Sequence, residues 1–322
     1  MVANEFKMNI KEKIELAKTS TSSEILDKLS DDKDGLVRYE VAGNKNTSSE
    51  TLDKLANDKD KEVRCNVVYN ENTSPETLDK LSNDENEDVR CAVANNENTS
   101  VETLDELADD KDEVVRCHVV CNANTSLEIL DKLSNDENED VRYYVTKNKN
   151  TPTKTLDKLA NDEYKYARWN VACNENTSVE TLEKLADDKD KDIRGRVASN
   201  KNTSSETLNK LANDKDREVR FYVARNKNTS TKILDKLSND EDEAVRFYVA
   251  INKNTSPETL DKLANDEKCF VFNSVYKNPK TSKATLLKIE KRMEICKKCL
   301  FYEVVEKNSV KCPYKFEHEV LR

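Results

Sequence analysis

An all-α solenoid of about ten 26-residue helix–turn–helix repeats is the fold this sequence predicts, and three observations lead there. The first is period: Thr recurs at 21, 47, 73, 99, 125, 151, 177, 203, 229, 255 and 281, always 26 residues apart and with no insertion. The second is composition. Of 322 residues, 35% are hydrophobic and 37% charged, too little apolar material to fill one large spherical core. Disordered chains lack the evenly spaced Leu and Val columns found here. The third is the reading of each unit, which is helix, turn, helix, turn.

The unit from Thr47 to Asn72 reads TSSETLDKLANDKDKEVRCNVVYNEN. Thr47 followed by Glu50 has the form of a capping box, so a first helix is expected to start there. Leu52, Leu55 and Ala56 give it one apolar side, while Glu50, Asp53, Lys54 and Asn57 face water. Asn57 to Asp60 are turn formers, and Val63, Val67 and Val68 then mark a second short helix. Asn70 is expected to end it in the left-handed conformation. One unit buries too few side chains to fold alone, so the units must stack. The expected organisation is a cap helix over residues 1–20 (Ile10, Ile14 and Ala17 on its apolar side), ten repeats over 21–280, and a half repeat with a basic Cys-rich cap over 281–322.

What the chain lacks narrows its function. Its three glycines, Gly35, Gly43 and Gly195, provide no phosphate loop, dinucleotide fingerprint or nucleophile elbow. Two histidines, His118 and His318, leave little general-base inventory beyond carboxylates. A non-enzymatic protein is expected. No run approaches the ~18–20 apolar residues of a membrane span, and the first twenty residues do not resemble a secretory signal. The expectation is a cytoplasmic protein without a membrane partner. Nine cysteines, an odd number with five of them in two repeat columns and no disulfide-framework pattern, fit a reducing compartment. Stacked helices lie about 8–10 Å apart, which is too far for Cys65, Cys91 and Cys117 to be linked.

The pattern Asn-x-Asn-Thr-Ser-x-Glu-x-Leu-x-x-Leu-Ala-x-Asp, followed by Val-Arg-x-x-Val-Ala-x-Asn, resembles the leucine-rich repeat variant family, a relative in shape of HEAT and armadillo solenoids. The resemblance covers residues 21–280. It implies a right-handed stack of paired short helices, one of which can be 3₁₀, used mainly as a binding scaffold. It does not assign a partner.

Four constellations stand out. Asp recurs in all ten units from Asp32 to Asp266, and Arg in nine from Arg38 to Arg246. Their joint recurrence favours a bidentate clamp between repeats over an anion groove. On the second helix the positions opposite the core should be polar if they merely met water. Instead the first column holds Tyr39, Cys65, Cys91, Cys117, Tyr143, Trp169, Gly195, Phe221 and Phe247, joined by Tyr69, Cys121, Cys173, Arg225 and Ile251 in a second and flanked by Tyr144, Tyr222 and Tyr248. Such a stripe suits a protein or peptide interface, and Tyr143, Trp169, Phe221, Tyr222, Arg225, Phe247, Tyr248 and Ile251 are its candidate contacts. Burial of that column between repeats is the alternative. Cys117, His118 and Cys121 share one helix, where they serve either as a metal grip or as small apolar filler.

The fourth constellation lies at the C-terminus. Residues 277–322 are net +6, against −16 over residues 1–276. There Cys296, Cys299, Cys312 and His318 have the form of a zinc site. An iron–sulfur cluster and the absence of metal are the alternatives. Nucleic acid is a second possible partner, through this basic segment.

Overall fold

The computed structural model describes residues 8–298, with side chains through Arg292. Every regular element among them is an α-helix. The described residues form two compact units, divided between Asn176 and Thr177.

Both units are built from the same repeat. In the Thr47 repeat the first helix is Ser49–Leu55 and the second Lys61–Tyr69. Leu52, Val63, Val67 and Val68 are fully buried and Leu55 nearly so, as the periodicity requires. Each second helix packs on the second helix of the next repeat in its unit. Within a unit, first helices wedge between the second helix of their own repeat and that of the preceding one. A unit is therefore a stack, an α-solenoid in which every repeat is closed by its neighbours. Both helices of the repeat are α, so neither takes the 3₁₀ form that the family resemblance allowed.

Two local readings need correction. The first helix is capped by Ser48, whose Oγ accepts the Thr51 N–H at 3.3 Å. Thr47 is buried instead, and its hydroxyl donates to the Val41 carbonyl at 2.6 Å, stapling the turn to the preceding helix. Ser and Thr are adjacent and both can cap, so spacing alone could not separate them. Nor is Asn70 left-handed: its backbone is extended, with φ −76° and ψ 129°. It recurs because its amide donates to the Ala42 and Asn44 carbonyls of the preceding repeat, at 2.7 and 3.0 Å. Its Oδ1 accepts the Asn72 N–H, and Asn72 in turn donates to the Lys45 carbonyl at 2.7 Å. These side chains satisfy carbonyls left open at helix ends and turns, and thereby stitch one repeat to the next.

The Arg and Asp columns form the second stitch. Arg38 holds both carboxylate oxygens of Asp58 in the next repeat, at 2.5 and 2.8 Å, while its Nη1 donates to the Asp32 carbonyl of its own. The pattern continues in the first unit with Arg64–Asp84, Arg90–Asp110, Arg116–Asp136 and Arg142–Asp162. The second unit has Arg194–Asp214, Arg220–Asp240 and Arg246–Asp266. Burial works to raise the Asp58 carboxyl. The Arg38 hydrogen bonds, the Asp60 N–H and the guanidinium charge outweigh it and hold the group below the usual carboxylate range.

Both ends adapt the repeat. The helix Ile10–Thr19 packs on Gly35–Gly43 as a second helix would, with Ala17 fully buried and Lys13 paired to Asp32 at 2.6 Å where later repeats use Arg. Near the other end Phe272 fills the Arg column. Arg292, on the helix Lys283–Lys298, lies over the Phe272 ring at 4.3 Å and donates to the Asp266 carbonyl at 2.9 Å. A guanidinium thus reaches that carbonyl from the cap.

Candidate functional site: the outer row of the second helices

The stripe residues fall into two groups, one in each unit. In the second unit Phe221, Tyr222, Phe247 and Tyr248 are half-buried, and Arg225 and Ile251 are exposed. They lie on the adjacent helices Arg217–Arg225 and Glu243–Ile251. Their rings form an edge-on chain. Tyr222 meets Phe221 at 5.1 Å between centroids, Phe221 meets Tyr248 of the next repeat at 4.4 Å, and Tyr248 meets Phe247 at 5.0 Å. Phe247 then leans on Phe270 at 5.9 Å. Such contacts add about 0.5–1.5 kcal/mol each beyond area burial. The guanidinium of Arg196 sits 5.6 Å from the Tyr222 ring and that of Arg225 6.0 Å from Tyr248.

Gly195 explains how the row begins. A Cβ at that position would lie 3.1 Å from the Tyr222 ring, so the glycine leaves space in which the ring packs against the helix Lys191–Ser199.

In the first unit Tyr143 is half-buried and meets Tyr144 at 5.4 Å and Tyr164 at 6.5 Å, and Tyr164 meets Tyr166 at 5.3 Å. Trp169 is also half-buried. Sequence reasoning missed Tyr164 and Tyr166. The available signal was that Tyr164 interrupts a column held by Asp60, Asn86, Asp112 and Asn138, which cap their helices; Tyr164 makes no such cap.

The rest of the first unit's row is the exposed Tyr39 followed by three thiols. Cys65, Cys91 and Cys117 are unlinked and half-buried. Burial, followed by the fields of nearby carboxylates for Cys65 and Cys91, pushes those two thiols up to about 11. Burial and then Cys121 push Cys117 up to about 12. A thiol held neutral is a poor nucleophile and a poor metal ligand. Among the described residues no group of three or more His, Cys, Asp or Glu side chains is placed to hold a metal, the helix of Cys117, His118 and Cys121 included. Of the C-terminal set, Cys299, Cys312 and His318 lie outside the described residues, as does the side chain of Cys296. No described helix is long and apolar enough to cross a membrane.

Comparison with known proteins supports the reading of the repeat. Residues 87–112 match the family model described as leucine rich repeat variant. That segment is one repeat of the leucine-rich repeat variant kind. A solved structure titled as a leucine-rich repeat variant with a novel repetitive structural motif is 27% identical, with a TM-score of 0.55 over 68% of this chain and 87% of that one. An engineered protein is 18% identical over 87% of this chain and 94% of its own, at a TM-score of 0.36. No curated protein matches. The leucine-rich repeat variant chain and this one share the solenoid architecture.

Proposed function

We propose that this leucine-rich repeat variant protein is a non-enzymatic scaffold that binds a protein or peptide along the outer row of its second helices. In the second unit the contacts are Phe221, Tyr222, Arg225, Phe247, Tyr248 and Ile251; in the first they are Tyr143 and Trp169. One observation carries the reading: four rings locked edge-on across two repeats remain half accessible, with Arg225 and Ile251 exposed beside them. Aromatic and Arg side chains so placed are the usual anchors of an interface, and their mutual packing lowers the entropy lost on binding.

The double variant F221S/F247S tests it. Partner capture from native lysate should fall sharply while the protein keeps its helical circular dichroism. Because both rings are half-buried, the melting temperature should drop only moderately, by less than full core truncations costing about 3–5 kcal/mol each would cause. Unimpaired capture by the folded variant would remove the row from the interface. A second reading rests on the Cys296-x2-Cys299, Cys312 and His318 spacing: we propose one structural zinc per chain in the C-terminal segment. Metal analysis of the purified chain and its C296S/C299S variant checks this.

A further inference from the structure

The partner's chemistry can be read from residues beside the aromatic row. The segment from the middle of each second helix to the next Thr is short and, in the second unit, free of acid. Residues 195–203, 221–229, 247–255 and 273–281 contain no Asp or Glu, although the chain as a whole has 64. They contain Arg196, Lys201, Arg225, Lys227, Lys253, Lys277 and Lys280. In the first unit the same segments carry Glu40, Glu71, Glu97 and Glu175 against Lys45, Lys147 and Lys149.

These cations are displayed in register. The Asn ladder ties Asn228 to the Lys201 carbonyl at 2.6 Å and Asn254 to the Lys227 carbonyl at 2.7 Å, so the turn lysines of successive repeats are stacked. Lys201, Arg225, Lys227 and Lys253 are exposed. Arg225, Lys227 and Lys253 enter no ion pair among the described residues. The columns also converge: in the first unit a cleft of about 290 Å³ is lined by Tyr144, Lys147 and Lys149 together. The second unit places Tyr222, Arg225 and Lys227, and then Tyr248, Ile251 and Lys253, at those positions.

We infer that the outer row of the second unit binds an acidic, extended peptide with apolar or aromatic side chains between its carboxylates. The inference rests on the proposed function above and specifies its partner. Charge complementarity selects the carboxylates, and the aromatic row selects the apolar side chains. Geometry adds spacing. Packed helices lie about 8–10 Å apart, and a polyproline II strand advances about 3.1 Å per residue with side chains at i and i+3 on one side. Acidic residues at every third position therefore meet one cation per repeat. A long polyanion is disfavoured because residues 1–276 are net −16, and a short peptide confined to this edge avoids that field.

The test uses the full chain and labelled synthetic peptides. One carries Glu at every third position with Leu and Phe between, the second has Gln for Glu, and the third has the same residues with the Glu clustered. Fluorescence anisotropy should show the first binding at least about tenfold tighter than the others, and weakening steeply with salt. The charge reversal R225E/K227E/K253E should abolish that preference, whereas K45E/K149E in the first unit should not. Circular dichroism confirms that both variants fold. Equal binding of the Gln peptide, still lost in F221S/F247S, would overturn the acidic partner and leave the aromatic interface standing. No peptide binding, together with unimpaired capture by F221S/F247S, would sink both. Tighter binding of a single-stranded oligodeoxynucleotide or of anionic vesicles than of the first peptide would overturn the inference in favour of those ligands.

Discussion

The two units share one scaffold and differ in what they put on it. In the first, the outer row runs Tyr39, Cys65, Cys91, Cys117, Tyr143 and Trp169, and the turns beside it mix Glu71, Glu97 and Glu175 with Lys45 and Lys149. In the second, it runs Gly195, Phe221 and Phe247, beside Lys201, Lys227 and Lys253. Beneath both lies the same pair of stitches. Arg64 grips Asp84 at 2.6 and 2.8 Å, and Arg220 grips Asp240 at 2.7 and 3.0 Å. Asn70 and Asn226 each donate to the carbonyls of the repeat before. Columns that hold repeats together are fixed because each must fit the unit on either side. The outer row makes fewer such demands, so its composition can differ between units, and that difference is where function is written.

If this division is right, the largest effects should come from the stitches and be alike in both units. Asp84→Ala and Asp240→Ala each strand a buried guanidinium, which typically costs about 3–5 kcal/mol. Denaturant unfolding should show similar losses for the two. Acid should act in the same direction. Asp58, Asp162 and Asp214 are held below the usual carboxylate range by their Arg partners, despite burial that works the other way. The unfolded chain then binds protons first as pH falls. The contribution of these three clamps is thus complete above the ordinary carboxylate pKa of about 4 and is lost as pH drops through the lower native values. Thermal melts over that range should decline together in both units. A large loss confined to one unit would mean that the clamps are not equivalent.

The clamp was legible in the sequence, because a repeated column is its own control, whereas the Asn columns read only as a helix stop and turn formers. The Asp and Arg columns were identifiable as a clamp, and Val63, Val67 and Val68 as core. Which partner each side chain took was less legible: Arg38 reaches Asp58, twenty residues on, and not only the turn before its own helix. Such pairings depend on the offset between stacked repeats, which periodicity does not supply. The aromatic row could be listed but its state could not, because helical angle places Phe221 away from its own core without revealing that Tyr248 of the next repeat covers it. The turn lysines escaped attention because each stands alone between two Asn residues. Only the Asn ladder makes them a row.

A middle-sized effect should separate the three half-buried row thiols of the first unit from an exposed one in the second. Cys65 and Cys91 are pushed up to about 11 and Cys117 to about 12, whereas Cys269 is exposed on the helix Cys269–Lys277. At pH 8 a thiol near 11 is about one part in a thousand thiolate, and its higher intrinsic nucleophilicity recovers part of that deficit. Alkylation by iodoacetamide, followed by peptide mapping, should label Cys269 at least about tenfold faster than the three in the row. Equal rates would mean that the row is open to solvent and its thiols ordinary.

The smallest effect is the sharpest probe of whether the aromatic row is preorganised, and it uses one glycine from each unit. Replacing a helix-interior Gly by Ala gains up to about 1 kcal/mol in propensity. Gly195 lies inside Lys191–Ser199, and the added Cβ would press on the Tyr222 ring at 3.1 and 3.3 Å. That ring is backed by Phe221 and lies near the Arg196 guanidinium, so it cannot retreat without loosening both contacts. Gly43 ends its helix, where the propensity gain is smaller, and the nearest atom to its Cβ would be the Asn66 amide nitrogen at 2.7 Å, the tip of a flexible side chain that swings aside at the expense of its bond to the Tyr39 carbonyl. A rigid row therefore predicts that G195A forfeits its larger propensity gain and leaves the melting temperature level or slightly lower, while weakening peptide binding. G43A, by contrast, should shift stability by less than about 0.5 kcal/mol and leave binding unchanged. If G195A instead raised the melting temperature by the full helix gain without loss of binding, Tyr222 would be free to move aside, and the edge-on chain would not be what presents this surface to a partner.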